Sequence, residues 1–159
     1  MQAIVTSIAK LLTENNFTLS VAESCSAGGI SSCICSVSGS SSYFLGGIIA
    51  YSNESKIRDL GVLREDINIF TEVSKEVALQ MSEGVSNRFS SDFSVSTTGY
   101  SGPTGKDVGK VFISVKSPKN TIVREYNFIG NREKITSQII ESALQILFSE
   151  IKLLIYNNK

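Results

Sequence analysis

Hydrophobic positions recur at two periods along this chain, and each switch between them marks a change of element. Ile4, Ile8, Leu11 and Leu12 share a helical face, so the spacing predicts an amphipathic helix that Asn15-Asn16 ends. Thr18 to Ala22 reads as a strand, Ser26 to Val37 as a helix of small residues, and Ser38 to Ser42 as a loop. Gly46 to Tyr51 is a second, apolar strand. Asn53 suits an N-cap, with Glu54 in the first turn of a short helix reaching Leu60. Ser74 can cap a longer helix that has Glu76 in its first turn and buries Val77, Met81 and Val85. Phe93 to Thr98 is a third strand, and the glycine-rich stretch Gly99 to Gly105 a turn. Lys110 to Val115 and Thr121 to Phe128 are β-rich runs, joined by Lys116 to Asn120 as an antiparallel hairpin. Asn131 suits the cap of a last helix with Ile135, Ile139, Ala143 and Ile146 on its core face, and Tyr156 to Lys159 reads as a frayed tail. Helices alternate with strands before the hairpin. The expected architecture is therefore an α/β fold, a three-layer α/β/α sandwich on a mixed sheet, with residues 1–159 forming one domain.

Composition narrows the function classes. A chain of 159 residues with 42% hydrophobic and 19% charged residues can bury a sizeable core. Its formal net charge of zero provides no electrostatic footprint for nucleic acid. No apolar run is long enough to span a membrane and no signal sequence is visible, so a soluble cytoplasmic protein is expected. Cys25, Cys33 and Cys35 fall in one predicted helical region, and residues two apart do not share a helix face. They read as small buried thiols in a reduced compartment rather than a zinc clip. The apolar run Leu153-Leu154-Ile155 fits either a core or a contact between copies of the chain.

The sequence contains no histidine, so a nucleophile here needs another base. Ser24 ends the first strand, where ligands of open α/β sheets gather, and the amides of Cys25, Ser26, Ala27 and Gly28 could hold an oxyanion. A serine that only caps the helix fits the same pattern, and Cys25 is a rival nucleophile. Lys56 falls in the first turn of the next helix, where the helix dipole disfavours the ammonium form, which suits a general base. A solvated surface lysine is the alternative. Tyr51, at the strand end, could orient or relay a proton, or be an ordinary half-buried strand residue. The Gly99–Gly105 turn runs into Lys106 but is not a phosphate-binding P-loop, because Tyr100 and Asp107 occupy positions that need glycine and serine or threonine. Gly99 and Gly102 can still let a ligand approach the backbone. Arg132, at a helix start, could meet a phosphate or simply be solvated.

Taken together, Ala22-Glu23-Ser24-Cys25-Ser26, Ala50-Tyr51-Ser52-Asn53 with Lys56, Gly99 with Gly102-Pro103, Val108-Gly109, and Gly130 with Arg132 resemble one family. It is the C-terminal domain of the competence/damage-inducible CinA proteins, which also occurs alone as nicotinamide-nucleotide amidase. The resemblance runs nearly end to end. It implies an α/β/α sandwich and hydrolysis of the carboxamide of nicotinamide mononucleotide, with Ser24 as nucleophile and Lys56 and Tyr51 as its partners. It also implies a pyridine mononucleotide as the small-molecule partner, no metal or cofactor, and a homodimer or higher homo-oligomer. A catalytically impaired nucleotide-binding module of the same fold is the competing expectation. Where the family has Thr-Gly-Gly after the cysteine, this chain has Ser26-Ala27-Gly28, and its Gly102–Gly109 loop is shorter.

Overall fold

A computed structural model describes residues 1–157. The strands are β1 (Leu19–Glu23), β2 (Phe44–Ile49), β3 (Phe93–Gly99), β4 (Lys110–Lys116) and β5 (Thr121–Asn127). They form one sheet in the order β2-β1-β3-β4-β5. β1 pairs in parallel with both β2 and β3, while β4 and β5 run antiparallel beyond β3. The carboxyl ends of β1, β2 and β3 therefore open on one edge of the molecule, and the functional residues gather there.

Among the described residues, six α-helices cover the sheet. α1 (Gln2–Glu14), α2 (Gly29–Cys35) and α6 (Arg132–Asn157) enclose the larger apolar cluster on one face, with Ile8, Leu12, Ile135, Ile139 and Leu147 fully buried. α3 (Asn53–Leu60), α4 (Arg64–Phe70) and α5 (Lys75–Phe89) cover the other face, around Leu60, Val77, Met81 and Val85. This is the expected three-layer sandwich on a mixed sheet. Of the run Leu153-Leu154-Ile155, only Leu154 is fully buried, and α6 continues through Tyr156 and Asn157 where a frayed tail was expected. The rest of that tail, residues 158–159, lies outside the described residues.

The two faces of the sheet differ in chemistry because side chains alternate along a strand. On β1, Leu19 and Val21 join the α6 cluster, while Ala22 joins the α5 cluster and Ser20 meets Ser91 at 2.6 Å. On β3, Phe93 and Val95 face α6. Ser94, Ser96 and Thr98 face α5 and donate to the carbonyls of Ser82, Ala78 and Glu72, each at 2.6 Å. Short hydroxyl side chains thus let α5 sit close to the sheet with its polar atoms satisfied. The same alternation directs Glu23 toward α2 and Ser24 toward α3.

Boundaries and elements differ from the sequence reading in several places. α2 begins at Gly29 rather than Ser26, because residues 24–28 form a turn in which Ala27 (φ 52°) and Gly28 (φ 91°) are left-handed. β2 covers Phe44–Ile49, ending two residues early; its last ladder bond runs from Ala50 N to Glu23 O at 2.8 Å. α4 was not foreseen, and its N-cap Leu63 makes no side-chain cap bond.

Candidate active site

A cavity of about 240 Å³ opens at the carboxyl ends of β1 and β3, and Ser24, Lys56, Tyr51, Gly99, Gly102 and Arg132 all line it. Each reaches it for a local reason. Ser24 is the first residue past β1, and its amide donates to Thr97 O at 3.1 Å, so the neighbouring strand fixes the serine backbone. Lys56 comes from α3. The cap of that helix is Ser52, not Asn53: Ser52 Oγ accepts from Ser55 N and Ser55 Oγ accepts from Ser52 N, both at 3.1 Å, which is a capping box. This sets Lys56 one turn into the helix, on its inner side.

There Lys56 Nζ donates to Ser24 Oγ at 3.1 Å. Both groups are withdrawn from water, Lys56 being 2% and Ser24 7% exposed. Burial holds the Lys56 amine below the ordinary lysine range; the negative charge of Glu72 and the Cys25 thiol oppose this in part. Cys25 also borders the cavity, but it packs within the α6 apolar cluster. Its thiol is pushed up to about 12, chiefly by burial, so it stays protonated and is a poor nucleophile. The other two cysteines depart from the buried-thiol expectation: Cys33 is half-buried and Cys35 exposed. Among the described residues, no group of acidic and sulfur side chains is placed to hold a metal ion.

The expected run of four oxyanion amides is corrected by the turn. Ala27 N is taken by Ser24 O at 3.1 Å, and Gly28 N by Glu23 Oε2 at 2.9 Å. Glu23, fully buried, also accepts from Ile30 N at 3.1 Å and from the amide and hydroxyl of Ser31 at 2.8 and 2.6 Å. The start of α2 is therefore closed from inside by a carboxylate. Among the described residues, only the Cys25 and Ser26 amides of this turn lack a protein acceptor. Ser26, Ala27 and Gly28 do not line the cavity: the Ser26 hydroxyl meets Thr97 Oγ1 at 2.7 Å and Ala27 is exposed. Glycine suits position 27 for its backbone angle, not for close approach of a ligand.

Tyr51 is also placed differently from a proton relay. It is 59% exposed at the cavity mouth, and its hydroxyl accepts from Arg132 Nη2 at 2.8 Å rather than meeting Ser24 or Lys56. Arg132 donates through Nη1 to Gly102 O as well, so one guanidinium ties the β2–α3 corner and the β3–β4 loop to the start of α6. Asn131 caps that helix, accepting from Lys134 N at 2.9 Å. Gly99 serves packing: a Cβ there would lie 2.9 Å from Lys110 O. The β3–β4 loop leads into a strand and not a helix, which agrees with rejecting a P-loop. Sequence reasoning missed Glu72 and Tyr100. Both line the cavity, and Tyr100 Oη donates to Glu72 Oε1 at 3.0 Å.

Fold and site together define an α/β/α domain with a buried serine–lysine pair at the carboxyl edge of its sheet. The chain belongs to the CinA C-terminal domain family, which matches residues 1–151. A CinA-like protein of Flavobacterium psychrophilum is 43% identical over 148 residues, 91% of this chain and 35% of the relative. A CinA-like protein of Fervidobacterium nodosum is 43% identical over 142 residues, covering 87% of this chain and 35% of the relative. The chain thus spans about a third of the length of these curated relatives. The crystal structure of the competence/damage inducible protein CihA from Agrobacterium tumefaciens superposes with a TM-score of 0.91 at 31% identity, covering 93% of each chain. Among the described residues no helix is long and apolar enough to cross a membrane.

Proposed function

We propose that this domain is an amidohydrolase that cleaves the carboxamide of nicotinamide mononucleotide, giving nicotinate mononucleotide and ammonia. The observation that carries the reading is the 3.1 Å contact between Lys56 and Ser24, buried in a cavity of a chain without histidine. With the amine neutral, the contact runs the other way and Ser24 Oγ–H donates to Lys56 Nζ. Ser24 Oγ bonds to the carboxamide carbon as its proton passes to Lys56. The carbonyl electrons move to oxygen, and the Cys25 amide, at the cavity wall, stabilises that oxyanion by ~3 kcal/mol. On collapse the C–N bond breaks, Lys56 returns its proton to the departing nitrogen, and ammonia leaves. Water, deprotonated by the same amine, hydrolyses the ester and restores Ser24. The chemistry calls for no metal or cofactor. Arg132 and the Gly102 turn suit the phosphate side, and Tyr51, tied to Arg132, belongs to the entrance rather than to the proton path.

The test is ammonia release from nicotinamide mononucleotide. Ser24→Ala and Lys56→Ala should each lose ~10³-fold or more while remaining folded. Unchanged turnover in Ser24→Ala removes serine catalysis. Nucleotide binding by the unmodified protein with no ammonia over hours would leave a binding module of the same fold.

A further inference from the structure

We propose that Glu72 distinguishes the carboxamide substrate from its carboxylate product by accepting an N–H of the amide. The proposal rests on the amidase reading above and extends it to specificity. Glu72 lies in the α4–α5 connection, half-buried on the cavity wall that also carries Ser24, Lys56 and Arg132. It is held at two points. Its backbone carbonyl accepts from Thr98 Oγ1 at 2.6 Å, and its Oε1 accepts from Tyr100 Oη at 3.0 Å. Among the described residues its Oε2 takes no hydrogen bond, and Glu72 pairs with neither Lys56 nor Arg132, although both line the same cavity.

A cavity that turns a serine–lysine pair toward an amide has a selectivity problem. Amide and acid have nearly the same shape, and a lysine that has taken up a proton favours the acid, which is the product. A fixed carboxylate reverses the preference. It accepts from the amide –NH₂, which the acid lacks, and repels the negative charge that only the acid carries. In this assignment Lys56 serves the serine proton and Glu72 the amide nitrogen.

The measurement is calorimetric binding of nicotinamide and nicotinate mononucleotides to Ser24→Ala protein, where no turnover occurs. The amide should bind ~10-fold or more tighter than the acid. Adding Glu72→Gln, whose own –NH₂ can donate to the acid, should remove or invert that ratio. Adding Tyr100→Phe, which keeps the charge, should leave it within ~3-fold, the size of one neutral hydrogen bond. A ratio that ignores Glu72→Gln, or that collapses equally in Tyr100→Phe, overturns the assignment and leaves the amidase reading standing. If neither nucleotide binds, the substrate reading falls first and this proposal with it. Should Glu72→Gln not fold, product inhibition of the unmodified enzyme decides. An inhibition constant for the acid at or below the amide KM overturns the proposal; one well above it is the expected result.

Discussion

Two strand-to-helix corners meet in the cavity, and they treat the positive end of a helix in opposite ways. At the β1–α2 corner, the buried Glu23 carboxylate takes the amides of Gly28, Ile30 and Ser31. At the β2–α3 corner, Ser52 and Ser55 close the cap locally, and Lys56 lies buried one turn into the helix. The first corner neutralises its helix with a fixed anion and presents a hydroxyl. The second caps its helix with hydroxyls, carries Glu54 in its first turn, and presents an amine that burial disfavours as a cation. A helix start is therefore not one kind of site. Where its amides are already satisfied from inside, a donor for a reacting oxygen must come from the turn ahead of it, here Cys25.

Removing the Glu23 carboxylate breaks the contrast most severely. Glu23→Ala strands several buried amides and should cost ~3–5 kcal/mol in denaturant unfolding, with α2 losing amide-exchange protection before α3. A cost below ~1 kcal/mol, the value of one ordinary hydrogen bond, would mean the carboxylate does not organise the turn.

Lys56→Met sharpens the other corner. The Lys56 amine is held below its ordinary value of 10.5 by burial, so between the two values the unfolded chain binds more protons than the folded one. Folding stability then rises with pH across that window, and at low pH the buried amine carries its full penalty. The methionine variant lacks the penalty and should be more stable at pH 7 by ~1 kcal/mol, while losing ammonia release. Its advantage should shrink as pH approaches 10.5. An advantage independent of pH would show that the lysine is not strained by its burial.

Ala27→Gly has the smallest effect. The methyl is exposed and the backbone left-handed, so glycine should stabilise by ~0.5–1 kcal/mol in thermal or denaturant unfolding and leave turnover within ~2-fold. A large change in turnover would return position 27 to the substrate path.

The layered fold was legible because period and punctuation agree along most of the chain. The stripes of α1, α5 and α6 bury most of the residues their spacing selects, with Ile4, Leu11 and Ile146 half-buried, and β1 and β3 fall within a residue of their apolar runs. Misreadings arose where local pattern and pairing part. Ser26 to Gly28 look helix-compatible, but two left-handed residues hold them in a turn. Tyr51 looks like strand, yet lies beyond the last ladder bond, which Ala50 makes to Glu23. Arg64–Phe70 forms a helix without a side-chain cap to announce it. In the site, a hydroxyl or amine after a strand is a visible signal, so Ser24 and Lys56 could be singled out. Glu72 sits in a connection with no periodic pattern, and its place at the cavity depends on Thr98 and Tyr100 across the sheet. Glu23 did carry a signal: a carboxylate just before a turn whose amides need an acceptor.

The sequence by itself determined the alternation of elements, the side of the sheet on which each strand residue stands, and the residues able to exchange a proton, since these follow from local period and side-chain chemistry. Tertiary structure alone decided which of those groups meet. The approach of Lys56 to Ser24, the occupation of the α2 amides by Glu23 and the arrival of Glu72 at the cavity join segments that no local rule connects, and the reason is burial. Packing α3 and α5 on the sheet strips water from groups that would otherwise be solvated apart, and only their partners in the fold can replace it.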